Sequence, residues 1–266
     1  MYVDTHLHLD EPWLTDPEKR KRVIEDITAH RIPTFAQSCD LASYEKILEC
    51  ANQSDYVIPS FGILPWYANE YTDRLDEVAE LCESAVMLGE IGLDLASSRN
   101  TATREEQLAL LDVFLEAAKR NDMVLNLHFR GGMEPVGLEV LKDAGVQRAI
   151  FHWYSGTLDL MDEINKAGFY YSVGQIHLPR RTQEERDEIA AMVRKIPDDR
   201  LLLEIDVLPQ DSESLPSTVF RGVLEDVAKI KGMSPDEIEA LNQTNVRELV
   251  GDGPRVAEII GLLGSS

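Results

Sequence analysis

His6 and His8 stand two residues apart in Tyr2-Val3-Asp4-Thr5-His6-Leu7-His8, a run whose residue types favour an extended strand. Alternate residues of a strand face the same side, so the two imidazoles aim at one spot. Imidazole is the commonest protein ligand for a divalent metal near neutral pH. A lone His-x-His is weak evidence, because histidine pairs also arise as core or surface residues. The pair gains weight only if the rest of the chain brings further ligands to the same place. Glu90, His128, His152 and Asp206 are the candidates, each expected at the end of a strand-like run. Four of the six histidines are thereby used.

The elements that must position these groups alternate between apolar, strand-like runs and amphipathic, helix-like runs. Strands are expected over 2–8, 32–39, 56–63, 86–93, 124–128, 148–152, 170–174 and 201–206. Helices are expected from about 16 to 30, over 41–51, 71–84, 103–121, 134–144, 158–167, 182–195, 216–231 and 235–250, with a short helix in the tail. Thr15 or Asp16 can cap the first helix and Pro17 suits its first turn. Eight strands each followed by a helix is the rhythm of an α/β chain folded as a (β/α)8 TIM barrel, with residues 1–266 forming one such unit. Val124-Leu125-Asn126-Leu127 and Leu201-Leu202-Leu203 read as strands buried on both faces. A doubly wound open sheet lacks support, since no G-x-G-x-x-G follows the first strand. In a barrel the C-terminal ends of the strands form the active-site mouth, and the six ligand-type residues fall there.

The hydrophobic fraction of 44% supports a sizeable core and argues against disorder. The net charge of -22 repels phosphates and anionic lipid over most of the surface, so stable binding to duplex DNA or to membranes is not expected. Any phosphate substrate must be captured locally, by metal or by a small basic cluster. Cys39, Cys50 and Cys82 contain no C-x-x-C pair and fit a reduced, cytoplasmic location. The sequence shows no signal-peptide pattern and no apolar run near the ~20 residues of a membrane span. The charge weakly favours a monomer or a small homo-oligomer.

Four imidazoles and two carboxylates exceed one open tetrahedral site. Their number suggests two metals sharing a bridging carboxylate. Asp206 would bind metal and accept the proton of the attacking water. Asp4, Asp94 and Glu204 are spare carboxylates able to orient the imidazoles. Carboxylate with imidazole suits one or two divalent ions of zinc, manganese, nickel or iron, and magnesium less well.

The chain resembles the TatD-type metal-dependent hydrolases of the amidohydrolase superfamily. The resemblance rests on Asp4-Thr5-His6-Leu7-His8-Leu9-Asp10, Gly62…Pro65-Trp66, Gly89-Glu90-Ile91-Gly92-Leu93-Asp94, His128 with Arg130, His152 with Ser155-Gly156, Glu204-Ile205-Asp206 and Thr244-Asn245-Val246-Arg247. It implies that His6, His8, Glu90 and Asp206 hold one metal and that Glu90, His128 and His152 hold a second. Glu90 would bridge them and so share the catalytic role with Asp206. It also implies a phosphodiesterase acting on DNA from a 3′ end. Three departures bear on the substrate: Leu64 stands where the family often has histidine, Leu95 where an aromatic is common, and Val207-Leu208 where Ala-Pro is usual.

Arg130 and Arg181 are the expected phosphate-binding residues, with Arg180 and His177 close by in sequence. Trp66, Trp153 and Tyr154 are candidates for stacking a base. The expected substrate is an oligonucleotide or a small molecule. A small amide, lactone or phosphate ester is the alternative, and a non-catalytic metal-binding scaffold is the alternative of another class.

Overall fold

The computed structural model describes residues 2–10, 14, 16–174, 181–209, 214–251 and 261. The expected tail helix, Thr15, His177 and Arg180 lie outside them. The strands are β1 (Asp4–Leu7), β2 (Thr34–Gln37), β3 (Val57–Phe61), β4 (Met87–Asp94), β5 (Leu125–Arg130), β6 (Ala149–His152), β7 (Tyr170–Val173) and β8 (Leu201–Leu203). The helices among the described residues are α1 (Pro17–Ala29), α2 (Leu41–Ala51), α3 (Leu75–Ser84), α4 (Arg104–Asn121), α5 (Glu134–Ala144), α6 (Leu158–Ala167), α7 (Gln183–Lys195), α8 (Pro216–Lys231) and α9 (Pro235–Val250). All neighbouring strands pair in parallel, in the order β1 to β8. The architecture is a (β/α)8 barrel. None of the described helices is long and apolar enough to cross a membrane.

Local signals set many of the boundaries. Asp16 caps α1 by accepting from the Glu18 amide, and Pro17 fills the first turn. Thr103, Thr182 and Ser234 form capping boxes with Glu106, Glu185 and Glu237 at the starts of α4, α7 and α9. The helix expected over 71–84 begins only at Leu75. Pro65 instead starts a 3-10 turn over Pro65–Glu70, which brings Trp66 back over the barrel.

Inside the barrel, Val3, Phe35, Ile58, Met87, Val124, Ile150, Tyr170 and Leu202 form one apolar cluster with Val246, Leu249 and Val250 of α9. Each comes from a different strand or its approach. The facing residues on the outside, such as Leu7, Ala36, Leu88, Leu127 and Leu203, join a separate cluster beneath the helices. One step further up the strands, at i+2, the series reads Thr5, Gln37, Ser60, Gly89, Asn126, His152, Ser172 and Glu204. The interior thus turns polar within a single side-chain step.

Strict alternation fails in two strands. Val3 and Leu7 have the same parity, yet one packs in the inner cluster and the other in the outer. Leu88 and Ile91 have opposite parity, yet both pack outside. Pairing shifts register between Asp4 and Leu7 and between Leu88 and Ile91, so each strand carries one extra residue there. These bulges turn His6 and Glu90 toward the mouth. Glu90, expected at the end of its strand, therefore lies in the middle of β4, following a cis Gly89–Glu90 peptide.

The ring closes between β8 and β1. Asn242 of α9 donates to the Val3 carbonyl and accepts from the Leu203 amide at the lower end. Thr5 Oγ1 donates to the Leu203 carbonyl. At the upper end the Asp206 amide donates to the His6 carbonyl at 2.7 Å, and the His8 amide to the Asp206 carbonyl at 2.9 Å. The regular ladder of β8 ends at Leu203, three residues earlier than expected, but this bridge carries Asp206 to the same height.

Candidate metal centre

All six expected ligands converge at the mouth. Glu90 occupies the middle. Its Oε2 lies 3.0 Å from His8 Nε2 and 3.6 Å from His6 Nε2. Its Oε1 meets His128 Nδ1 in a close contact and lies 3.5 Å from His152 Nε2. Asp206 Oδ1 lies 3.6 Å from His6 Nε2 and 3.8 Å from His8 Nε2. Of the four groups among the described residues whose donor atoms lie within 4.8 Å of one another, two are made wholly of these six residues: His6, His8 and Asp206, and Glu90, His128 and His152. The carboxylate of Glu90 reaches into both.

Each imidazole is held from behind. Asn126 Nδ2 donates to the Thr5 carbonyl, so its Oδ1 faces His6 Nδ1 at 2.9 Å and must accept. That fixes the His6 proton on Nδ1 and leaves a lone pair on Nε2. His152 Nδ1 donates to Glu204 Oε2 at 2.8 Å, and His128 Nε2 to Asp94 Oδ2 at 3.2 Å. His8 Nδ1 lies 3.6 Å from both Asp10 Oδ1 and Cys39 Sγ. In all four rings, the other nitrogen points to the carboxylates at the centre. This outer support is how proteins fix metal-binding histidines.

The buried charges are matched to one another. Burial, reinforced by the neighbouring His152, holds His6 well below the ordinary imidazole range. Burial alone would raise Glu90, but His128 and His152 outweigh it and hold the carboxyl well below its usual range. Burial pushes Asp206 up, against the pull of His152 and His8.

The fit to a cation can be tested on these atoms. His6 Nε2 and His8 Nε2 face each other at 3.1 Å, so at most one of them can donate to the other. Glu204 Oε1 is buried with no hydrogen-bond partner among the described residues. A concentration of oxygen and imidazole acceptors of this kind suits one or two divalent cations.

Several expected roles come out differently. Asp4 orients no imidazole; its Oδ1 accepts the amides of His6 and Ile205 and so joins β1 to β8. Glu204 and Asp94 do hold histidines. Asn126 and Asp10 were missed. Asn126 did carry a signal, being a polar residue inside an apolar strand run. Tyr154 cannot stack a base, since it is buried against Phe151 and Tyr171 and its hydroxyl donates to the Thr157 carbonyl. Trp66 is also buried, edge-on to His128 at 5.2 Å. Trp153 remains half-buried beside His152, with the guanidinium carbons of Arg181 and Arg130 at 4.6 and 5.9 Å from its ring centre. Gly92 is required by contact: a Cβ there would lie 1.9 Å from the His128 carbonyl oxygen.

Residues 3–251 match the family model described as TatD related DNase. The chain is 28% identical over 262 residues to the uncharacterized metal-dependent hydrolase YabD of Bacillus subtilis, covering 94% of this chain and 98% of that protein. It is 28% identical over 226 residues to the 3'-5' ssDNA/RNA exonuclease TatD of Erwinia amylovora, covering 79% of this chain and 85% of that protein. The crystal structure of the TatD homologue YjjV from Escherichia coli K12 shares the fold with a TM-score of 0.78 at 24% identity, covering 93% of this chain and 97% of that one.

Proposed function

The chain belongs to the TatD-related DNase family and is a metal-dependent hydrolase acting on ester bonds, and we propose that its bond is the phosphodiester of single-stranded nucleic acid, cut from a 3′ end. The observation that supports this reading is the position of Glu90, one carboxylate reaching both donor groups. His6, His8, Glu90 and Asp206 would hold one divalent ion, and Glu90, His128 and His152 a second. Ions bound there supply Lewis-acid activation of water and of a phosphoryl oxygen.

The protein's own groups do the rest. Glu90 stays ionised and keeps its oxygens on both histidine pairs. His6 and His152 are locked by Asn126 and Glu204, so substrate binding requires no rotation of either ring. Asp206 takes the proton of the attacking water on its carboxylate. Its burial favours the protonated form, which makes it a more effective acceptor than an exposed aspartate. Arg130 and Arg181 bind phosphate oxygens beside the centre, where the acidic surface otherwise opposes an anion.

The test is release of mononucleotides from a 3′-labelled single-stranded oligonucleotide with Mg²⁺, Mn²⁺ or Zn²⁺, beside Asp206→Asn. Metal-dependent release that the variant loses supports the reading. No release by protein shown to hold metal overturns it and directs attention to small esters, lactones and phosphomonoesters.

A further inference from the structure

A cleft of about 670 Å³ opens next to the metal centre, between the ends of β5 and β6 and the helix α7. That volume is in the range of small-ligand sites. Its lining includes Arg130, Trp153 and Arg181 but none of the six metal-centre residues. Two of these three residues are tied directly to the centre: Trp153 follows His152 in sequence, and Arg130 lies two residues beyond His128. Two residues along a strand advance about 7 Å, the scale of one nucleotide along a single strand.

Trp153 is the organising residue of this cleft. Its backbone has φ of 40°, a left-handed conformation that a bulky side chain rarely adopts. The ring receives Arg181 at 4.6 Å and Arg130 at 5.9 Å. Cation–π contact restricts two long side chains that would otherwise lose rotamer freedom only on binding a ligand. Glu134 is buried and accepts from Ser155 Oγ, Glu185 is used in the cap of α7, and Glu188 is exposed.

We infer that this cleft binds the phosphate next to the scissile one, through Arg181 and Arg130 positioned by Trp153. The inference rests on the phosphodiesterase reading and sharpens it. The preferred substrate has at least two consecutive phosphates, and an ester with a single phosphate engages only the metal centre. Arg181 and Arg130 are binding residues, and Trp153 is a positioning residue that holds them.

The experiment uses metal-loaded Asp206→Asn protein, which retains substrate uncut, and a fluorescent trinucleotide read by anisotropy. A second trinucleotide carries a neutral methylphosphonate in place of the phosphate next to the scissile linkage. A hydrogen-bonded charge of this kind is worth about a factor of ten in affinity. The methylphosphonate should weaken binding by about that factor, adding Arg181→Gln should shrink the difference between the two ligands, and adding Arg130→Gln as well should abolish it. Trp153→Leu should shrink the difference, and Trp153→Phe should restore most of it. A difference that persists undiminished in Arg181→Gln overturns the inference, as does its absence in the parent protein. Cleavage of the unmodified trinucleotide by the native enzyme is read in parallel. Cleavage without coupling sinks the cleft alone, coupling without cleavage sinks the nuclease reading alone, and the loss of both sinks both.

Discussion

The two ends of the barrel interior are made by the same eight strands with opposite chemistry. At the lower end Val3, Phe35, Ile58, Met87, Val124, Ile150 and Leu202 pack against α9. At the upper end His6, His8, Glu90, His128, His152 and Asp206 crowd imidazoles and carboxylates into a space that a hydrophobic core would have filled. The lower end lowers the free energy of the fold by removing apolar area from water. The upper end raises it, since buried carboxylates and imidazoles lose their hydration. The difference teaches that stability and activity are separable along one strand, only a few residues apart.

Breaking the upper end should leave the lower one intact. Asp206→Asn should reduce kcat by about a thousandfold, within the range of a lost general base. The metal-free variant should melt at or above the parent's temperature, because a buried carboxylate has been neutralised. The rate of the metal-loaded protein and the melting curve of the metal-free protein, from one preparation, settle it; a parallel fall in both would refute the separation.

Phe35→Ala tests the reverse. Emptying the lower cluster should cost about 3–5 kcal/mol, read as a shift of the denaturation midpoint at constant slope. The molecules still folded should retain their kcat, and a loss of kcat per folded molecule would show the ends to be coupled.

A smaller effect sharpens the boundary between them. Asn126 sits between the apolar cluster and the ligands and fixes His6. Asn126→Ala should weaken metal affinity about 10- to 100-fold in a chelator competition. An unchanged affinity would mean that His6 needs no such hold.

The smallest effect concerns the outer packing. Burial pushes the Cys82 thiol up to about 12, and it should not react with a thiol reagent at pH 8 until the protein unfolds. Its folded value lies above its ordinary one. Cys82 therefore contributes stability that is full below pH 9 and declines as pH rises toward 12. Cys82→Ala should remove that part of the alkaline slope in a urea titration.

The sequence exposes most of the fold because parallel strands and amphipathic helices leave periodic traces, and it exposes the residues that converge at the candidate site because histidines recur at strand ends. It hides what depends on counting errors and on distant partners. The bulges before Leu7 and Ile91 break the period of two, so Glu90 reads as a strand end when it sits mid-strand. Asp4 looks like an imidazole holder, yet its amide partners are His6 nearby and Ile205 across the seam. The cleft at Trp153 joins residues from β5, the loop after β6 and the approach to α7, a meeting that no local pattern announces.

The upper seam has one more consequence. Its two backbone bonds are made by His6 of β1, by His8 just beyond it and by Asp206 beyond β8, which are also three of the six residues of the candidate metal centre. A ribosome emits these strands at opposite ends of the synthesis of the barrel. A nascent chain that has not yet delivered residue 206 has neither a closed ring nor a complete site. Closing the ring and bringing Asp206 to the candidate site are therefore one event.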